Sequence, residues 1–126
     1  MKIIVNNCIA QKRHRFARGF VYDPSSKDKK IAIQQIKEQF TGKPYTDALK
    51  IRFVFHIKRP KAHWNKYSLK KTAPVYHTKR PDVDNYVKFY MDCMNKLVYL
   101  DDSQVIEIYA KKEYIDLSES YTEIII

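Results

Sequence analysis

The sequence predicts an α+β fold: one domain over residues 1–126, with two main helices packed on one face of a mixed or antiparallel sheet. Three observations support this prediction. Residues 49–58 alternate apolar and mostly basic side chains, which is typical of a half-buried strand. Apolar residues in 25–40 and 83–98 recur at helical spacing. Hydrophobic residues make up 44% of the 126, which is enough for one core without disulfide or metal support.

The N-terminal part is predicted to form a strand, a hairpin and a helix. Residues 2–5 (KIIV) are typical of a short strand, and residues 11–22 of a hairpin that turns at Gly19. Ser25 and Asp28 have the spacing of a capping box at the start of the first helix.

The remaining elements are a strand over 49–58, a helix over 83–98 and strands over 104–112 and 121–126. In the strand over 104–112 we expect Ile106, Ile108 and Ala110 to share the face that the helices cover. The basic connection of residues 59–80 is expected to be a flexible, functional loop, because irregular loops longer than about 12–15 residues are uncommon in compact domains.

The charge is divided unevenly along the chain. The net charge is +10, but residues 1–80 hold 20 basic and 4 acidic residues, whereas 81–126 hold 4 basic and 10 acidic ones. Basic side chains neutralise phosphates, so a polyanionic partner is one interpretation, and a solvated basic surface is the other. Carboxylates repel phosphate unless a cation lies between them, so the acidic part indicates metal-dependent chemistry on a nucleic acid.

Composition also bounds where the protein acts. No apolar run approaches the roughly 20 residues of a membrane-spanning helix, and the first residues do not have the pattern of a signal peptide. The two cysteines suit a reducing compartment better than a disulfide framework. We therefore expect a cytoplasmic protein with no membrane partner.

Two pairs of carboxylates bracket the second helix. Asp82 and Asp84 lie two residues apart at its start, Lys88 follows one turn later, and Asp101 and Asp102 come at its exit. Mg²⁺ binds through one or two carboxylates together with substrate phosphates, so this pattern favours a metal site. The alternative is structural, with a helix cap and a turn. Adjacent carboxylates in a strand point to opposite faces, so one of the second pair should face the site while the other caps the turn or faces away.

This region resembles the RusA family of Holliday junction resolvases, which are crossover junction endodeoxyribonucleases. The matching motif is an Asp-x-Asp-Asn opening, a lysine and a further aspartate at four-residue steps, and Asp-Asp-x-Gln before a strand. The pattern covers about 25 residues and is far more specific than a lone Asp-x-Asp. Its members in this chain are Asp82, Asp84, Asn85, Lys88, Asp92, Asp101, Asp102 and Gln104.

The resemblance implies a Mg²⁺-dependent endonuclease that acts as a homodimer on four-way DNA junctions in recombination and repair, of a kind often carried by phages and prophages. It implies that Asp82, Asp84 and Asp102 are catalytic carboxylates that bind the metal, and that Lys88 assists catalysis. The candidates for side chains that support this site without binding the metal are Asp101, Asp92 and Asn85.

Two basic segments interleaved with aromatic residues are the predicted DNA-binding surfaces. Phe16 accompanies the first segment, and Trp64, Tyr67 and Tyr76 the second. Phe89, on the otherwise polar side of its helix, has three interpretations: a dimer contact, a wedge into DNA or local packing. The basic residues concerned are Lys12, Arg13, Arg15, Arg18, Lys61, Lys66, Lys70, Lys71, Lys79 and Arg80.

Two other functions stay open at this point. The chain is alternatively a non-catalytic module that binds structured DNA or RNA, with its carboxylates serving as caps. It is alternatively a Mg²⁺ nuclease that acts on flap, RNA or other branched substrates. Divalent-ion-dependent nicking separates the first alternative from a resolvase, and a substrate panel separates the second.

Overall fold

A computed structural model describes residues 1–116 and 118–126. Short 3₁₀ turns occur at Lys61–His63 and Asp102–Gln104. The regular elements are β1 (Lys2–Asn6), β2 (Arg15–Ala17), β3 (Phe20–Tyr22), α1 (Ser26–Gln39), β4 (Leu49–Lys58), α2 (Val83–Met94), β5 (Val105–Ile115) and β6 (Tyr121–Ile125). The predicted α+β fold is confirmed. Within the described ranges, no helix has both the length and the apolar character needed to cross a bilayer.

The main sheet is mixed, with strand order β1-β6-β4-β5. β6 runs antiparallel to both of its neighbours, whereas β5 runs parallel to β4. Parallel neighbours need a crossover connection, and α2 lies in the segment that links these two strands. The first carboxylate pair therefore lies at the start of this crossover helix, and the second lies at the turn between the helix and β5.

Both helices cover one face of this sheet. Ile3, Ile51 and Phe53 of the strands are at most 2% exposed and belong to one core cluster with Ile36 of α1. The ring of Phe55 stacks on that of Tyr86 in α2, with centroids 5.0 Å apart. The expected alternation of β4 is present at Leu49–Arg52 and ends there, because Val54 and His56 on the other face are also buried.

The predicted hairpin forms a separate two-stranded sheet, β2–β3. Arg18 and Gly19 turn it with positive φ values of 53° and 79°, the backbone that two-residue hairpin turns favour. All six residues of its strands are exposed. The hairpin thus presents Arg15 and Phe16 to solvent.

The outer edge of β1 is bound by side chains of α1. Gln39 accepts a hydrogen bond from the Ile4 amide (2.8 Å) and donates one to the Ile4 carbonyl (2.6 Å). Gln35 accepts one from the Asn6 amide (2.7 Å). These side chains take the place of a neighbouring strand at that edge.

Local predictions at both helices are corrected. The capping box at α1 is wrong, because the Ser25 side chain makes no bond to its own helix and instead accepts one from the Lys12 amide (3.0 Å). α2 ends at Met94 and not at 98, since Asn95 is extended and Lys96 has a φ of 70°. Phe89 is fully buried, so its interpretation as a dimer contact or DNA wedge is wrong and the packing one is right.

The covered face of β5 also differs from the prediction. Ile106 and Ile108 are 66% and 45% exposed, although Ala110 does pack on the core. The pairing of β5 with β4 shifts by one residue beside Leu49, which changes the face that the following residues of β5 point to. β5 is moreover an edge strand, so helices cover its outer side incompletely.

Candidate active site

Asp82 lies immediately before α2 in extended geometry, with φ −69° and ψ 148°. Its carbonyl oxygen accepts the Asn85 amide at 3.1 Å, but within the described chain its carboxylate makes no capping bond to the helix. Because the side chain is exposed and does not serve as a cap, the structural interpretation of Asp82 is not supported. The carboxylate is therefore able to accept other partners.

One exposed stripe of α2 carries charged groups at four-residue steps, namely Asp84, Lys88 and Asp92. The Lys88 ammonium is 3.9 Å from the Asp84 carboxylate, and both side chains are about two-thirds exposed, at 64% and 67%. An exposed ion pair of this kind contributes little to stability. Lys88 is thus free to reorient toward a bound phosphate.

The opposite wall of this site is formed by residues 11–14, which we call the strap. The Gln11 amide donates to the Asn85 carbonyl at 2.9 Å and fixes the strap beside the start of α2. A cleft of about 570 Å³ lies between the strap and the exposed stripe. The carboxylates therefore face basic side chains across one open cleft, which is lined by Gln11, Lys12, Arg13, His14, Asp82, Asp84, Asn85, Lys88 and Asp92.

Asp101 caps the turn that precedes β5. Its carboxylate accepts the Ser103 amide (3.0 Å), and the Gln104 side chain accepts the Asp101 amide (2.9 Å). The hydrogen bond from Ser103 lowers the pKa of Asp101. Gln104 also donates to the carbonyls of Tyr45 and Asp47, so this glutamine ties the turn to the segment that precedes β4. The expectation that one member of the second pair caps the turn is met by Asp101.

Asp102 is half-buried and interacts with Tyr99. The Tyr99 hydroxyl lies 2.8 Å from the Asp102 carboxylate and 2.9 Å from the Met91 carbonyl, and its single proton serves one of them at a time. Burial raises the pKa of Tyr99, so it stays a neutral donor. Asp102 does not line the cleft that contains Asp82 and Asp84.

The cleft offers oxygen donors of the kind that a hard cation binds. Two carboxylates, Asp82 and Asp84, fit Mg²⁺, which prefers oxygen ligands and retains several waters. Over residues 1–116 and 118–126, no three Asp, Glu, His or Cys side chains converge in a group able to hold a metal. The structure thus brings together two of the three carboxylates that the motif indicates.

Lys112 is a residue of the site that the sequence analysis missed. From β5 its ammonium donates to the carbonyls of Lys79 (2.6 Å) and Pro81 (2.9 Å), the residues that lead into Asp82. It therefore holds in place the segment that carries the first carboxylate. The sequence does indicate that Lys112 lies on the same face of the strand as Ala110, because the two residues are two positions apart. A lysine on the face that packs toward the helices was the feature that could have identified it.

The connection of residues 59–80 is organised around Tyr114. Arg59 bonds Asp116 (2.8 Å) and lies 4.7 Å from the centre of the Tyr114 ring. His63 and His77 pack on the same ring, with centroids 5.0 and 4.9 Å away. Burial, with the nearby charge of Lys112, lowers the pKa of His77 and keeps it neutral.

All of the basic residues predicted to contact DNA are exposed. Lys12 and Arg13 of the strap line the cleft itself, and Arg80 lines the neighbouring cleft at the start of α2. In the long connection Tyr67 and Tyr76 are 88% and 77% exposed, whereas Trp64 is half-buried. The surface needed for a polyanion is therefore present around the carboxylates.

Comparison with known proteins identifies the family. The chain is 38% identical over 65 residues to a Lactococcus phage r1t protein named crossover junction endodeoxyribonuclease rusA, a match that covers 51% of this chain and 42% of that protein. It is 54% identical over 37 residues to the protein YqaN of Bacillus subtilis strain 168, covering 29% and 26% of the two chains. The matched stretches thus span less than half the length of either relative. RusA nucleases are in general metal-dependent. The model of the family described as endodeoxyribonuclease RusA matches residues 7–126, nearly the whole chain, so the protein belongs to the RusA family.

Proposed function

We propose that the protein is a Mg²⁺-dependent, structure-selective endodeoxyribonuclease that resolves Holliday junctions by paired nicking, in recombination and repair in the cytoplasm. The observation that carries the proposal is the shared cleft, in which Asp82, Asp84 and Lys88 face the basic strap. Phosphodiester cleavage needs anionic ligands for a cation and cationic side chains for DNA at one place. This cleft supplies both.

The roles of the residues follow from their charges. Asp82 and Asp84 would hold Mg²⁺, with Asp102 proposed as the third carboxylate. A bound Mg²⁺ would lower the pKa of a water and offset charge on the phosphate. Lys88 adds a positive charge beside the attacked phosphate as negative charge develops on it. Lys12 and Arg13 of the strap hold the DNA backbone in register with the carboxylates.

The test is cleavage of a synthetic four-way junction labelled on each strand in turn. With Mg²⁺ we expect symmetric nicks in two opposing strands, and with a chelator none. Duplex, flap and RNA substrates at equal concentration should be cut far less. Equal cutting of flap or RNA would contradict junction selectivity and favour the broader Mg²⁺ nuclease.

One observation favours the non-catalytic alternative. In the described chain Asp102 is bonded to Tyr99 and does not line the cleft with Asp82 and Asp84. A protein that uses its carboxylates only structurally would bind junctions and leave them intact in any divalent ion. Tight binding without nicking in Mg²⁺ or Mn²⁺ would establish this alternative.

We also propose that the protein acts as a homodimer, since two paired cuts need two sites related by two-fold symmetry. Sedimentation of the protein at assay concentrations, alone and with junction DNA, should give a dimer. A monomer that nevertheless makes paired nicks would contradict this proposal.

Binding to DNA is expected to weaken steeply with salt. Neutralising about six phosphates on duplex arms gives a log–log slope of about −5, because each neutralised phosphate contributes about −0.9. The slope is measured by fluorescence anisotropy on a labelled junction. The salt concentration is varied between roughly 50 and 200 mM, the range over which such slopes are resolved. A binding constant that stays flat over this range would exclude an electrostatic DNA surface.

A further inference from the structure

Behind the strap, one lysine of α1 forms ion pairs with two aspartates, one just before α1 and one in α2. The Lys29 ammonium of α1 lies 2.5 Å from the Asp23 carboxylate and 3.1 Å from that of Asp92 in α2. The side chains of Lys29 and Asp23 are only 15% and 17% exposed, whereas that of Asp92 is 48% exposed. Asp92 also lines the candidate cleft, so the ion pair reaches the site from α1.

The same ion pair fixes the strap through Asp23. The second oxygen of Asp23 accepts the Gln11 side-chain amide (2.9 Å) and the Ser25 backbone amide (2.8 Å). Ser25, which is fully buried, in turn accepts the Lys12 backbone amide through its hydroxyl (3.0 Å). Two consecutive strap residues are therefore bonded to groups that the Lys29–Asp23 pair organises.

These contacts close a ring around the site. The Gln11 backbone amide donates to the Asn85 carbonyl near the start of α2, and the Lys29 ammonium donates to Asp92 further along the same helix. The strap itself belongs to no helix or strand, so its position depends on bonds of this kind. The ring runs from Asp92 through Lys29, Asp23 and Gln11 to Asn85.

The pair stays charged over the range in which a nuclease is assayed. The hydrogen bond from Lys29 lowers the pKa of Asp23 to about 2. Burial alone would lower the pKa of Lys29, but its hydrogen bonds to Asp23 and Asp92 outweigh that effect and raise it. The ring is therefore a permanent feature of the fold and not a pH-dependent one.

We propose that Lys29 is a positioning residue: through Asp23 and Asp92 it sets the strap at the spacing from α2 at which Lys12 and Arg13 meet the DNA backbone beside the carboxylates. This inference rests on the proposed DNA-binding function of the cleft. Lys29 itself need not touch DNA, because it acts through Gln11 and Lys12.

A purely structural role is separable from positioning. Lys29→Met removes one partner of the ion pair and leaves the Asp23 carboxylate without its cation, which costs stability. The variant is therefore compared with wild type only where it is folded, so that a loss of strap position is separated from a loss of folding. The matched control is Lys30→Met, the same change of charge at the exposed neighbouring residue of α1.

The experiment measures the salt slope of junction binding and single-turnover cleavage, at a temperature where melting curves show each variant fully folded. For Lys29→Met we expect the slope to shrink by about 2, as expected if about two phosphate contacts are lost, and cleavage to fall at least tenfold. Lys30→Met should change the slope by at most about 1 and leave cleavage within about threefold. Equal slopes in Lys29→Met and wild type would overturn the proposal.

A double-mutant cycle provides the second readout. Lys12→Met combined with Arg13→Met should weaken binding strongly in wild type and only slightly in the Lys29→Met background, because residues that act together are not additive. Full additivity would show that Lys29 does not position the strap. If Lys29→Met does not fold, Asp23→Asn takes its place and is expected to give the same reduced slope and the same loss of coupling. Lys29→Arg keeps the positive charge and should retain the wild-type slope and the wild-type coupling.

Failure of this inference is distinguishable from failure of the proposed function. A wild-type protein that binds the junction with a steep slope but never cuts it contradicts the nuclease proposal alone, and the slope and cycle still decide the role of Lys29. A wild-type protein whose junction binding does not depend on Lys12 and Arg13 contradicts the positioning role, whether or not it cuts.

Discussion

Asp82→Asn and Asp84→Asn are each expected to abolish cleavage of a four-way junction while binding is retained or strengthened. The amide keeps the size of the side chain but removes the negative charge that a hard cation needs. Since even groups that only support metal ligands are worth roughly 10–100-fold, loss of a ligand should exceed about a hundredfold. The same change removes repulsion between the carboxylate and DNA phosphates across the cleft.

Single-turnover cleavage in Mg²⁺ and gel-shift binding in a chelator measure the two halves of this prediction. Asp47→Asn is the matched control, because it is the same substitution at an exposed aspartate outside the cleft. Asp47→Asn should cleave as wild type does. Wild-type rates for either Asp82→Asn or Asp84→Asn would show that the cleft is not the active site.

The second large effect concerns Asp101 and Asp102. We expect Asp102→Asn to remove cleavage and Asp101→Asn to cost at most about tenfold, as for a group that supports the site without binding the metal. Asp101 is occupied by its bonds to the turn, and asparagine caps nearly as well as aspartate, so the fold should tolerate that change. Among the described residues the Asp102 carboxylate accepts a hydrogen bond from the Tyr99 hydroxyl, and it can exchange that contact for another when substrate binds.

Single-turnover rates and melting curves of both variants test this difference. Similar melting temperatures would confirm that lost activity is not lost folding. If Asp101→Asn is inactive and Asp102→Asn is active, the third carboxylate is Asp101. The role that the family resemblance implies for Asp102 would then be wrong. If both are fully active, the site needs only the pair at the start of α2.

The sequence was most informative where one local rule acts alone. Ten residues of clear alternation predicted β4 with its bounds, Leu49–Lys58, and a glycine that favours positive φ predicted the β2–β3 turn. The sequence left three interpretations of Phe89 open, because α2 packs against both α1 and the sheet and its buried face is wider than one apolar stripe indicates. Ser25 likewise has the spacing of a cap, but a distant amide, that of Lys12, occupies its hydroxyl.

The candidate site divides in the same way. Asp84, Lys88 and Asp92 share a stripe because four-residue steps on a helix align side chains, and the structure has them so. The position of Asp102 and the bonds of Lys112 depend on how β5 meets α2, which is a long-range contact that no local pattern encodes. The strap was predicted as the start of the hairpin and as a basic surface, but β2 begins only at Arg15. The ring that fixes the strap joins residues more than sixty positions apart, which no local pattern encodes.

The glutamines that bind the outer edge of β1 limit how copies of this chain can join through their sheets. A sheet with two open edges can add further copies at both ends without limit, which is the route to fibrils. Here Gln35 and Gln39 occupy one edge, and β5, whose only strand partner among the described residues is β4, forms the other. Pairing between identical open edges consumes both of them and stops at two copies. The first helix thus makes growth of a continuous sheet self-terminating.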